Sequence, residues 1–131
     1  KLLYDPGFNV IDATIVPDNR RFIMFLKDET RTPPAKNIRI AQSRRLTGSY
    51  SSASAPITGA YWAEGPTVLR IGNRWIVYFD RYTEHRYGAV TSTDLKKWED
   101  ISDKLSMPKG IRHGTVLTIS REEFARLSGE H

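Results

Sequence analysis

Two carboxylates set 52 residues apart, Asp12 and Glu64, carry the strongest chemical signal in the 131-residue chain. Asp12 stands between Ile11 and Ala13 in an apolar run, where an unpaired charge is costly to bury. Glu64 follows Trp62 and precedes Gly65-Pro66, an apolar, close-packed setting that favours the protonated carboxyl. Brought together, such a pair suits acid–base cleavage of a glycosidic bond. One carboxyl must hold a proton at neutral pH, and a second negative charge beside it raises its pKa. Each residue also has a plain structural reading: Asp12 as a turn cap, Glu64 as the partner of a surface arginine. Tyr61 and Trp62 lie beside Glu64 and offer flat apolar faces to a sugar ring. Arg112 and His113 supply a cation and an imidazole further along the chain.

These residues share a site only if the chain folds back on itself at regular intervals, and its pattern is that of a repeat. Segments 10–16, 21–27 and 37–43 read as short strands, separated by Pro17-Asp18-Asn19 and Thr32-Pro33-Pro34. A serine-rich strand or loop follows. The same order returns at 65–71, 74–80 and 87–92, with Gly72-Asn73 as a two-residue hairpin turn. A third copy opens at 112–119. Thr14, Thr67 and Thr115 fall at equivalent places, 53 and 48 residues apart, each before two apolar residues. A period of roughly 40–50 residues with four antiparallel strands is that of a β-propeller blade. The expected fold is therefore all-β, with approximate blades at 8–55 and 62–105 and the start of a third at 111–120. A short helix is expected at 120–128, with Ser120 as N-cap and Glu123 completing a capping box. A β-sandwich with similar hairpins is the competing architecture. In a propeller the first strand of each blade is innermost, so Asp12, Glu64, Arg112 and His113 converge on one mouth.

Composition narrows the function classes. Hydrophobic residues at 39% and charged residues at 27% suit a folded globular chain. The absence of cysteine excludes disulfides, thiolate metal sites and cysteine nucleophiles. No apolar run has the length of a membrane span, so no membrane partner is expected. The net charge of +5 permits an anionic partner. The cations are scattered among turns, however, and do not form a basic stripe interleaved with aromatics, so no nucleic-acid partner is expected. Arg44-Arg45 and Lys96-Lys97 read as solvated faces. Trp75, Tyr78 and Phe79 read as blade core and Trp98 as a packing residue between blades. His85 is a loop tip and His131 is terminal.

The segments Ile11-Asp12-Ala13-Thr14, Ala63-Glu64-Gly65-Pro66-Thr67 with Trp75-Ile76-Val77-Tyr78-Phe79, and Ser92-Thr93-Asp94-Leu95-Lys96-Lys97-Trp98 resemble the blade motifs of glycoside hydrolase family 43. The resemblance reaches to about Ile119. It implies a five-bladed propeller, of which this chain would hold about two and a half blades. It also implies an inverting hydrolase of arabinofuranosidase or xylosidase type, acting on a pentose-containing carbohydrate substrate. By motif, Glu64 would be the general acid, and Asp12 the residue that orients it and raises its pKa. The family's general base is an Asp opening the preceding blade. Asp5 lies too close to Asp12 to fill that place and is not assigned. His113 resembles the histidine of an Arg-His-Gly segment near the channel axis, which can give second-shell support to a calcium ion. It reads equally as a core histidine satisfied by hydrogen bonds, and Arg112 or His113 as substrate contacts. No cofactor is required, and calcium would be structural. A secreted or periplasmic location is implied, with no signal peptide in this sequence.

Two further expectations follow. The chain begins at Lys1 and holds fewer blades than a closed ring needs. It is therefore expected to be a fragment against which the missing blades pack, inactive alone for want of the base. The rival function is a non-catalytic propeller module that binds carbohydrate or a protein partner.

Overall fold

The computed structural model describes residues 2–108 and 110–129. His131 lies outside the described residues. The first sheet contains β1 (Val10–Asp18), β2 (Arg21–Asp28) and β3 (Asn37–Ser43), in the order β1-β2-β3. The second contains β4 (Glu64–Ile71), β5 (Arg74–Arg81), β6 (Arg86–Ser92) and the two-residue β7 (Glu99–Asp100), in the order β4-β5-β6-β7. Each strand pairs antiparallel with the next, as in a blade. Pro17 is tolerated inside β1 because β1 is an edge strand of its sheet.

Alternation along the strands decides which faces meet. Ile23 and Phe25 of β2, with Ile38 and Ile40 of β3, share one core with Trp75, Val77 and Phe79 of β5. Phe25 and Phe79 are fully buried there, each worth about 1.5–3 kcal/mol relative to exposure. The opposite face of β2 carries Met24 and Leu26, packed with Ala41 against Tyr4, Phe8 and Tyr50. Trp98 sits edge-on to Phe25, with ring centroids 6.2 Å apart, and so packs one sheet against the other. The segment Ser92–Trp98 is stapled locally. Ser92 Oγ accepts the Leu95 N–H at 2.9 Å, and Asp94 Oδ1 accepts the N–H groups of Lys96 and Lys97 at 2.8 Å. This turn drops Leu95 into the core and leaves both lysines exposed.

Two elements differ from the sequence expectation. The first sheet has three strands and not four. The fourth place is held by irregular chain whose Ser51, Ser54 and Ile57 N–H groups donate to Gln42, Ile40 and Ile38 carbonyls, each at 2.8 Å. Serine and threonine hydroxyls complete the edge: Ser51, Ser54 and Thr58 accept the Gln42, Ile40 and Ile38 N–H groups at 3.1, 3.1 and 3.2 Å. The hydroxyls replace ladder bonds that a regular strand would have made. The second difference is the segment 111–119, which runs alongside β4 without a ladder of its own. In the repeat its hairpin partner would follow next, but α1 (Arg121–Ser128) follows instead. That helix has the expected cap: Ser120 accepts from the Glu123 N–H, and Glu123 accepts from the Ser120 N–H.

The equivalent threonines join the repeats. Thr14 Oγ1 donates to the Pro66 carbonyl at 2.7 Å, which ties β1 to β4. Thr67 Oγ1 lies 3.3 Å from Thr115 Oγ1 and accepts the Val116 N–H at 3.2 Å, which ties β4 to the 111–119 segment.

Candidate active site

The site is built on one backbone feature used three times. Asp12, Gly65 and His113, each two residues before an equivalent threonine, all take positive φ, at 52°, 59° and 45°. In β1 and β4 the pairing register slips at this point, between Ile11 and Thr14 and between Glu64 and Thr67. A bulge of this kind bends the strand and re-aims the side chains beside it. Asp12, Gly65 and His113 and the threonines after them line one pocket of about 270 Å³. Asp12 Oδ2 accepts the Gly65 N–H at 3.1 Å, so the first carboxylate is held against the backbone that carries the second. One ligand atom from each of Asp12, Glu64 and His113 falls within 4.8 Å of the others. Residues distant in sequence thus meet as the motif spacing requires.

Glu64 is the most heavily contacted group of the set. Its Oε2 takes a hydrogen bond from Lys27 Nζ at 2.9 Å, while Oε1 lies 2.9 Å from His113 Nε2 and 3.4 Å from an Arg112 guanidinium nitrogen. This corrects the expectation of an apolar environment that favours protonation. Partial burial does push the Glu64 carboxyl up, but the Lys27 and His113 hydrogen bonds and charges outweigh it and hold the group below the usual carboxylate range. In this arrangement Glu64 is a carboxylate at neutral pH. Its plain structural reading is therefore also met in part, since Arg112 pairs with it.

The aromatics divide. Trp62 is 40% exposed, beside Tyr82 at a centroid distance of 5.9 Å. Tyr61 is different: its ring stacks on Phe79 at 5.8 Å and carries the Arg81 guanidinium 3.8 Å from its centroid. Its hydroxyl bonds Asp100, and burial together with that bond pushes its pKa up to about 12. These contacts engage the Tyr61 ring within the fold and leave it less exposed than Trp62. Trp62 retains exposed surface. Arg112 is half-exposed, with its Nε hydrogen-bonded to the fully buried Asp80.

Sequence reasoning passed over Lys27 and Asp80. Lys27 is almost wholly buried and is shared between Glu64 and Glu29, at 2.9 and 2.8 Å. Glu29 in turn pairs with Lys36. Asp80 stands opposite Glu64 in the β4–β5 register and anchors Arg112. A signal for both existed, because each is a charged residue at the end of a strand otherwise read as core.

Calcium prefers six to eight oxygen ligands. Among the described residues, Asp12, Glu64 and His113 supply two carboxylates and one imidazole, and the Lys27 ammonium and Arg112 guanidinium already reach Glu64. This set does not fit a calcium ion.

Two blade-like sheets with inner strands side by side define the chain as part of a propeller of the glycosidase type. Residues 1–125 match the family model for a probable glycosyl hydrolase domain related to family 43, and the chain belongs to that family. No curated protein matches the chain. Solved structures agree in fold. The catalytic domain of the Coprinopsis cinerea family 62 α-L-arabinofuranosidase superposes with a TM-score of 0.55 at 14% identity, over 72% of this chain and 32% of that one. CoXyl43, a family 43 β-xylosidase/α-arabinofuranosidase from a compost microbial metagenome, gives 0.56 at 9% identity, over 73% and 35%. The Phanerochaete chrysosporium exo-β-1,3-galactanase gives 0.55 at 15% identity, over 70% and 25%. The chain thus spans about a third or less of the length of these structures.

Proposed function

We propose that the protein hydrolyses glycosidic bonds in pentose-containing poly- or oligosaccharides with inversion, using Glu64 as general acid and Asp12 as its orienting partner. The observation that carries this reading is the convergence of Asp12 and Glu64 from the inner strands of successive blades, with the Asp12 carboxylate bonded to the N–H next to Glu64. Asp12 is not the base in this scheme. An inverting pair leaves roughly 6.5–9.5 Å for water, whereas the Asp12 and Glu64 ligand atoms lie within 4.8 Å. The water-activating base is then a carboxylate other than these two. The protonated fraction of Glu64 donates its proton to the glycosidic oxygen as the C–O bond breaks, and water adds to the opposite face of the sugar, giving its own proton to the base. Trp62, exposed and packed beside Tyr82, is the aromatic assigned to meet a sugar face. The arabinofuranosidase and xylosidase activities of the structural relatives support the pentose assignment. Proton NMR of the first sugar released by the full-length protein tests the reading. The inverted anomer is expected to appear first, and a retained anomer contradicts the scheme.

The ionised state of Glu64 favours a second reading, a propeller that binds carbohydrate without cleaving it. In that case Glu64→Gln leaves affinity unchanged and the unaltered protein shows no turnover.

A further inference from the structure

We propose that Lys27 is a positioning residue for Glu64, a buried ammonium that one blade sends into the site of the next to fix the acid and strengthen it. The proposal rests on Glu64 being the general acid. The internal repeat carries it. Lys27 of β2 stands opposite Ile11, and Asp80 of β5 stands opposite Glu64. Ile11, Glu64 and Arg112 each precede the residue of positive φ in their repeat. Lys27 and Asp80 are therefore equivalent, and so are Glu64 and Arg112. Across the first junction Lys27 reaches Glu64 at 2.9 Å; across the second, Asp80 reaches Arg112. The same inter-blade ion pair is used twice with its polarity reversed. Only in the first junction does the carboxylate occupy the inner strand, within 4.8 Å of ligand atoms of Asp12 and His113. The positive member is then the one held in the blade behind it.

The surroundings of Lys27 leave its ammonium little freedom. Its side chain is 3% exposed, Glu29 holds it at 2.8 Å and the Tyr82 ring lies 4.6 Å from Nζ. Glu29 is itself tied to Lys36. The other charged or titratable groups near Glu64 are Asp12 from β1, Asp80 from β5, and Arg112 and His113 from the 111–119 segment. When the Glu64 proton passes to the glycosidic oxygen, the C–O bond breaks and negative charge develops on the carboxyl beside Nζ. A fixed ammonium stabilises that charge more than it stabilises the neutral acid, so it favours the transition state. The same interaction lowers the fraction of Glu64 protonated at neutral pH.

The test is the pH dependence of kcat/KM on an unactivated oligosaccharide, measured on the full-length protein, Lys27→Met and Glu64→Gln. In Lys27→Met the alkaline limb should move up by about one unit or more, since an opposite charge at this distance has been removed. At the same time kcat on the acid plateau should fall. Lys27→Arg should restore the limb toward its original place. A purely structural lysine would lower activity without moving the limb, and that result overturns the proposal. Near-normal activity in Glu64→Gln overturns the acid assignment itself, which separates the two failures. Should Lys27→Met not fold, Lys27→Gln is measured in its place by the same pH profile. The same upward shift of the alkaline limb is expected, and an unmoved limb overturns the proposal.

Discussion

At the scale of residues, the site depends on backbone conformation as much as on charge. Asp12 and His113 hold positive φ with side chains attached, while Gly65 holds it without one. A Cβ at Gly65 would meet the His113 ring at 3.5 Å, an ordinary contact, so the cost of Gly65→Ala is the left-handed conformation alone. The variant should fold and lose about 1–2 kcal/mol in urea unfolding. A loss below a few tenths would show that φ relaxes. Asp12→Asn keeps an acceptor for the Gly65 N–H and a residue type that tolerates positive φ, but it removes the charge. Stability should be nearly unchanged while kcat falls by about 10²-fold. Asp12 and Glu64 were legible in the sequence because carboxylates are rare in apolar strand patterns. The ionisation of Glu64 was not, because it is set by Lys27 and His113, which lie 37 and 49 residues away in sequence. The setting of Tyr61 was hidden in the same way, since adjacency to Glu64 does not reveal that its ring packs on Phe79 and Arg81.

At the scale of elements, hydroxyls do the joining. Thr67 is buried, and its hydroxyl meets both Thr115 and the Val116 N–H. Thr67→Val keeps the shape and removes those bonds. It should cost about 1 kcal/mol and speed amide exchange at Val116, because the 111–119 segment has no ladder to fall back on. Protection equal to the parent's would mean the segment is held by Arg112 and His113 instead. The strands were readable from alternation and turn residues: β3 coincides with the expected segment, and α1 begins after the expected Ser120 cap. The missing fourth strand of the first sheet was not readable. Ser51, Ser54 and Thr58 follow no two-residue period, yet their hydroxyls satisfy β3 as a strand would. Side-chain hydrogen bonding leaves no imprint on hydrophobic periodicity.

At the scale of the whole molecule, the two sheets are joined by an apolar core, which does not respond to pH, and by an ion network, which does. Glu64 and Glu29 are held below the ordinary carboxylate range, chiefly by Lys27 and Lys36 against the opposing effect of burial. A lowered folded-state pKa stabilises the fold above the unfolded value of 4.5, and that contribution is lost as pH falls through the folded value. Lys27 is raised despite burial, by Glu29 and Glu64, so its contribution persists below 10.5 and is lost as pH rises through the folded value. Urea midpoints should therefore be level across the neutral range and fall at both extremes. Lys27→Met should flatten both limbs, and unchanged limbs would show that the network does not join the sheets. The repeat itself was visible in the sequence as three threonines at similar spacing. The opposite polarity of its two ion pairs was hidden, because Lys27 and Asp80 share a position but not a charge. Catalysis turns on Glu64 as a proton donor, and leaving-group dependence tests that most directly. Glu64→Gln should lower turnover of a natural oligosaccharide by about 10²–10⁴-fold and spare an activated aryl glycoside, whose leaving group needs little protonation. Equal losses on both substrates would contradict the assignment.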